Sequence, residues 1–128
     1  MRTMVLAAVL VIASTGAGLA QDAAAGEASF KRYCLPCHSA GEGATIKLGP
    51  PLNGLDGRKA GTFAGFNYSD AMKGSGITWS AESFHDYIQN PMQKVQGTRM
   101  AFVGLKDEAE IKNLWTYFSE LDAEGKKK

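Results

Sequence analysis

Cys34-Leu35-Pro36-Cys37-His38 is the stretch on which the reading of this chain turns. Two thiols three residues apart, followed at once by an imidazole, offer two nucleophiles to a porphyrin's vinyl groups and one nitrogen to its iron. This is the pattern of covalent c-type haem attachment. In a helical turn residues three apart share a face, so both sulfurs reach one edge of a macrocycle while the next residue turns toward the metal. The iron then takes a second axial ligand or stays open. A thioredoxin-like dithiol is the competing reading, because a proline inside Cys-x-x-Cys also suits thiol exchange. That chemistry wants the motif after a strand of a βαβ unit, whereas Gly26-Glu27-Ala28-Ser29-Phe30-Lys31-Arg32-Tyr33 is helix-compatible and holds no alternating apolar run. A zinc site is weaker still, since the two cysteines have only His38 and His85 to join them, without finger spacing.

The N-terminus supplies a compartment for that chemistry. Arg2 is a basic start, Val5 to Ala13 is an apolar run too short to span a bilayer, and Gly18-Leu19-Ala20 is a small-residue cleavage signature. Residues 1–20 are therefore expected to be a signal peptide cleaved after Ala20, with residues 21–128 exported as a single domain to the periplasm. An uncleaved membrane anchor is the alternative. An oxidising space invites disulfides, yet both cysteines of the chain lie in the motif, which suits thioethers better than a bridge.

Removal of the leader takes Arg2 and leaves 13 basic residues against 13 acidic ones. Nothing in that balance implies nucleic acid, and no phosphate-cradling glycine loop or paired catalytic carboxylates stand out. The exported chain is near the lower size limit for one hydrophobic core, and a buried porphyrin would add apolar mass.

Helix signals sit at both ends and in one central stretch. Asp22 can cap a first helix carrying Phe30 and Tyr33 into the motif. Asp107 opens the last helix with Glu110 three residues on, and Ile111, Leu114, Trp115, Phe118 and Leu121 make an apolar stripe. Ser80 can cap a helix with Phe84, Tyr87 and Ile88 on one face, which Asn90-Pro91 must stop. Ser69 to Lys73 could form a short helical turn closed by Gly74. No convincing period-two strand is present. Nine of the 15 glycines fall between Gly41 and Gly76, where the chain reads mostly as loop. So long a loop needs something besides secondary structure to organise it, and a haem that glycines can approach closely does so.

A thioether is a soft, neutral second ligand, and His/Met ligation raises an iron's reduction potential. Met1 and Met4 leave with the leader, so Met72, Met92 and Met100 remain. Methionine is core filler by default. Met72 lies in the short helical stretch and Met92 follows the helix-stopping proline. Met100 sits in a loop between Gly97 and Gly104, free to swing its sulfur inward.

From residue 24 to 121 the chain resembles the class I cytochromes c, especially the mitochondrial type and the soluble bacterial proteins like it. After the Cys34–His38 motif, Leu48-Gly49-Pro50 and then Leu52-Asn53-Gly54-Leu55-Asp56-Gly57-Arg58-Lys59-Ala60-Gly61 occur in that family's order. Gly65-Phe66-Asn67-Tyr68-Ser69-Asp70-Ala71, Gly76-Ile77-Thr78-Trp79, Asn90-Pro91 and Gly97-Thr98-Arg99-Met100-Ala101-Phe102-Val103-Gly104 follow. The resemblance implies an all-α fold, with packed helices and long loops around one haem c held by Cys34 and Cys37. It implies His38 and Met100 as axial ligands, and Pro50 as the carbonyl that fixes the histidine tautomer. Arg58, Tyr68, Ser69 and Trp79 match positions facing the haem propionates, while Tyr87 and Thr98 match groups near the methionine sulfur and the inner propionate. Gly26, Phe30, Leu114 and Tyr117 match the crossing of the terminal helices, and Phe102 a residue beside the exposed haem edge.

Some positions depart from the mitochondrial pattern. Met72 stands where an asparagine usually joins a buried polar network, so a changed network and a shifted potential are expected, with plain repacking as the alternative. Tyr33 and Met92 occupy places where lysines commonly ring the haem edge, leaving Lys47, Arg99 and Lys106. Docking to acidic partners should then depend less on salt. His85 reads as a surface residue, and Lys126-Lys127-Lys128 as a solvated tail.

The function implied is that of a monomeric periplasmic one-electron carrier, not an enzyme. Its partners would be redox proteins met transiently, some of them membrane complexes: a quinol-oxidising cytochrome complex, a terminal oxidase, a reaction centre or a periplasmic reductase. Other classes stay open. A haem enzyme or gas sensor needs a vacant or labile sixth position, a thiol–disulfide oxidoreductase a reactive Cys34, and a permanent subunit a copurifying enzyme.

Overall fold

The computed structural model describes residues 22–128. The expected signal peptide and its cleavage point lie outside the described residues. Asp22 accepts hydrogen bonds from the Ala24 and Ala25 amides and so starts helix α1, Ala23–Ser29. Its own amide donates to Asn113 Oδ1 at 2.9 Å, fastening this start to the last helix. The chain then widens into a π-helical turn, Phe30–Cys34, closed by Leu35 N–H donating to Phe30 O at 2.9 Å. The extra residue in that turn rotates everything after it relative to an α-helix, at the point where the two-cysteine motif begins.

Between Cys34 and Asp70 there is no helix. The three middle helices are short: α2, Asp70–Lys73, capped by Ser69; α3, Ala81–Ile88, with a reciprocal Ser80/Ser83 capping box; and α4, Pro91–Lys94, capped by Asn90. Asn90-Pro91 ends α3 as expected and also starts α4, because proline at the first helical position has no N–H to lose there. Met92, placed after a helix stop by sequence, is therefore helical and half exposed. The long helix α5, Glu108–Ser119, opens at Asp107, whose carboxylate accepts from Glu110 N. The Glu110 carboxylate reaches across to α1, where it accepts from Ser29 Oγ at 3.5 Å.

The α1/α5 crossing is the largest helix–helix contact of the fold. Ile111, Leu114 and Phe118 are buried to within 2 %, each stabilising the fold by about 1.5–3 kcal/mol. Phe118 meets the edges of both Phe30 and Phe84, so one residue of α5 joins the π-helical turn after α1 to α3. Trp115 stacks tilted on Phe84 and stays partly exposed, and Tyr117 takes a buried place that the sequence stripe did not give it. Among the described residues there are isolated bridges, Lys59 with Thr78 and Leu121 with Lys127, but no strand.

The C-terminal segment corrects one expectation. The three lysines are exposed, but their backbone is folded: Asp122 Oδ1 accepts from Glu124 N and Lys126 N, and Lys128 N–H donates to Glu120 O. Gly125 is buried against the Gly41 carbonyl, where a Cβ would stand 2.1 Å away. The lysines extend into solvent from a hook that holds the loop after the motif.

Candidate haem site

Hydrogen bonds from the Cys37 and His38 amides to Cys34 O, at 3.0 and 2.8 Å, form the helical turn of the motif. Cys34 is partly buried, Cys37 is exposed, and neither is in a disulfide. Burial, reinforced by the neighbouring Cys37, pushes the Cys34 thiol up to about 12. A thiol–disulfide oxidoreductase needs the opposite shift, because the thiolate is its nucleophile. Among the described residues no three His, Cys, Asp or Glu side chains gather as a metal cluster, which also disfavours the zinc reading.

The His38 ring is aimed by its neighbours. Its Nδ1–H donates to Pro50 O at 2.8 Å. A carbonyl only accepts, so Nδ1 carries the proton and Nε2 keeps its lone pair for a metal. The ring lies on Gly49, where a Cβ would stand 2.3 Å from it. Burial holds the imidazole below its usual pKa, with the Pro50 bond opposing and the charges of Arg58 and Lys47 assisting. The 50–53 loop is clamped in turn by Arg58, whose guanidinium donates to Pro51 O and Asn53 O at 3.0–3.2 Å. Arg58 also lies over the Phe63 ring.

Met100 is partly buried, and its sulfur accepts the Tyr87 O–H at 3.1 Å. Thr98 Oγ1 accepts the Met100 amide at 3.2 Å. Burial pushes the Tyr87 phenol up to about 12 against the opposing hydrogen bond with Thr98, so the ring remains a donor to sulfur. Trp79 meets Tyr87 edge-on at 5.0 Å, and its backbone is tied beside Arg58: Trp79 N–H donates to Arg58 O at 2.9 Å and Trp79 O accepts from Gly57 N–H at 2.8 Å. Tyr68 O–H accepts from Phe63 N at 3.1 Å, and the buried Ser69 hydroxyl accepts from Met72 N. Phe102 is partly buried against the core. Of the other methionines, Met72 is buried at 9 % and Met92 is half exposed on α4.

Two sulfurs, one imidazole with a free Nε2 and one thioether held by a phenol form a donor set that fits a haem. The cytochrome c family matches residues 23–122. This chain belongs to the cytochrome c family. It is 56% identical over 108 residues to cytochrome c2 of Rhodoplanes tepidamans, covering 84% of this chain and 100% of that protein. Cytochrome c2 of Blastochloris viridis is 51% identical over 128 residues, the full length of both. Cytochrome c-550 of Bradyrhizobium diazoefficiens is 57% identical over 104 residues, 81% of this chain and 76% of that one. As a cytochrome c, the chain holds one haem c covalently through Cys34 and Cys37 and is an electron carrier, not an enzyme.

Sequence reasoning overlooked the way this cytochrome c spends its cations. Lys47 Nζ donates to Leu35 O, Lys106 Nζ to Gln89 O, and Arg99 to Asn67 O. None of the three takes part in the ion pairs among the described residues. No local pattern announces such bonds, since each spans 12 or more residues.

Proposed function

We propose that this cytochrome c is a periplasmic shuttle, exported after cleavage behind Ala20, that carries single electrons between a quinol-oxidising complex and an oxidase, reaction centre or reductase. The haem supplies a one-electron iron couple. His38 and Met100 would hold its iron, and the tautomer imposed by Pro50 is the observation that supports this reading most directly. The Tyr87 O–H holds the Met100 sulfur at one angle, and the Arg58 clamp keeps the 50–53 loop under the imidazole. Side chains held this firmly would move little as the haem gains or loses an electron. With His38 and Met100 both given to the iron, the chain's own side chains would leave it no opening for substrate chemistry.

Met100→Ala tests the ligand assignment. Loss of the sulfur-to-ferric-iron charge-transfer absorption is expected, while the covalent haem remains; survival of that band would reassign the sixth ligand. The intact mass of exported protein tests the cleavage point, with Gln21 as the expected first residue.

The docking face joins apolar and cationic residues. Leu35 and Leu48 beside Lys47, and Val103 between Arg99 and Lys106, are exposed at 41%, 81% and 82% respectively. The three cations keep their charge for an acidic partner, while the apolar residues provide attraction that salt does not screen. Raising ionic strength from about 0.01 to about 0.15 M shortens the screening length from roughly 30 to roughly 8 Å. Across that range the second-order rate constant with an acidic redox partner is expected to fall less than about tenfold. A steeper decline would show that charge dominates the encounter.

A further inference from the structure

The segment that leaves the Cys34–His38 motif and the loop that carries Pro50 are tied together rung by rung. His38 Nδ1–H donates to Pro50 O at 2.8 Å, Leu52 N–H donates to Ser39 O at 2.9 Å, and the Asn53 side chain closes the far end on Gly41. Asn53 Oδ1 accepts from Gly41 N at 2.8 Å, and its Nδ2 donates to Gly41 O at 2.9 Å. Both bonds reach one residue. Turning the amide over would set donor against donor and acceptor against acceptor, so the side chain has one orientation. The Asn53 carbonyl accepts from Arg58 at 3.0 Å, and the residue as a whole is buried.

The C-terminal hook sits over that last rung. Gly125, at φ +80°, is packed so closely that a Cβ there would stand 2.1 Å from Gly41 O and 2.7 Å from Asn53 Nδ2. On the adjoining turn a Cβ at Gly54 would stand 3.0 Å from Ala123 Cα. The hook keeps its own shape, since Asp122 N–H donates to Lys126 O at 2.8 Å and Gly125 N–H to Asp122 O at 3.0 Å. Hydrogen bonds shielded from water in this way are electrostatically stronger than exposed ones.

We infer that Asn53 is a positioning residue for His38, and that the C-terminal hook keeps it in that role by closing over its pairing with Gly41. The inference rests on the reading of His38 as the iron's histidine. Pro50 and Pro51 have no N–H through which their own stretch of loop could be pinned. The Pro50 carbonyl is therefore held from downstream, by the Leu52 amide, by the Asn53 side chain and by Arg58 on the Pro51 and Asn53 carbonyls. With the Asn53 rung lost, that carbonyl is free to draw away from Nδ1. A weaker Nδ1–H bond makes an imidazole a poorer donor to a metal, which favours the reduced, less charged iron.

The test is NMR of the haem-loaded ferrous protein, with its reduction potential measured alongside. Asn53→Leu keeps roughly the same volume and loses both bonds to Gly41. Gly125→Ala leaves Asn53 in place and lifts the hook. Each is expected to move the His38 Nδ1–H resonance upfield and to speed its exchange with solvent about tenfold. The potential should rise in both, by about threefold in the one-electron equilibrium constant, or about 28 mV at about 59 mV per tenfold. Ile111→Val, which thins the buried core at α5, should move neither. A His38 Nδ1–H that stays put in Asn53→Leu would overturn the positioning role, as would an equal movement in Ile111→Val. Where Asn53→Leu does not fold, Gly125→Ala decides alone; where Asn53→Leu moves the resonance and Gly125→Ala does not, the part given to the hook is overturned. Wild-type His38 ring protons without the strong ring-current shift of an axial imidazole would remove the reading of His38 as the iron's histidine, and this inference with it.

Discussion

Protein made in a host that cannot attach haem is expected to lose most of its helical circular dichroism and its cooperative thermal transition. The reason lies in the long stretch between Cys34 and Asp70, which has no helix and is held by scattered hydrogen bonds from loop to loop. Leu52, Tyr68, Met100 and Phe102 are each only partly buried against the core, although all four come from segments that line the site. Loops of this length cost ordering entropy that a few backbone bonds do not offset. The terminal helices cannot compensate, because α1 has 7 residues and isolated helices shorter than about 12–15 residues are marginal in water. The ellipticity at 222 nm should therefore drop by more than about half, in line with the small core of a chain this size. A cooperatively folded apoprotein of native helicity would show that the haem completes the fold without being needed to form it.

The sequence was most legible where a single side chain does a local job. Asp22, Ser69, Ser80 and Asp107 each accept an amide at the start of a helix, as their chemistry requires, and each helix begins where its cap indicates. Asn90-Pro91 was read for half its meaning, because a proline stops one helix and starts another with the same ring. The π-helical turn at Phe30–Cys34 has no such signature. Phe30 packs there against Tyr117 and Phe118, a tertiary contact that periodicity in sequence does not carry. The lysine hook escaped for a related reason: composition marks the side chains as solvated, which they are, while the fixed backbone depends on Asp122 and on the burial of Gly125 against Gly41.

At the site the division is similar. The Cys34–His38 motif is local and announces its own chemistry. The Pro50 carbonyl and the Tyr87 hydroxyl stand 12 and 13 residues from the side chains they orient, and the resemblance to a family, not the spacing, pointed to them. Arg58 shows what neither source supplied. It was expected toward the propionates, and here it spends donors on the Pro51 and Asn53 carbonyls, bracing the loop whose neighbouring carbonyl orients His38.

Gly26→Ala is expected to destabilise the haem-loaded protein strongly, although alanine is the better helix former. Two effects oppose each other. In a helix interior alanine gains up to about 1 kcal/mol over glycine. At Gly26, however, the added methyl would stand 1.9 Å from the Asn113 carbonyl oxygen and 2.9 Å from Tyr117 Cβ. Main chain cannot rotate aside as a flexible side chain does, so α1 and α5 must separate. Separation strains the Asp22 amide bond to Asn113 and loosens Phe30 from Phe118. Overpacking of this kind costs about 3 kcal/mol or more where backbone has to move. The net loss of about 2 kcal/mol or more corresponds to a fall in Tm on the order of 10 °C for a domain near 100 residues. Ala24→Gly at an exposed position of the same helix is the control, and should cost no more than about 1 kcal/mol. If Gly26→Ala melts at or above the wild-type temperature, the two helices are not held at the distance that this glycine allows, and the crossing is looser than its geometry indicates.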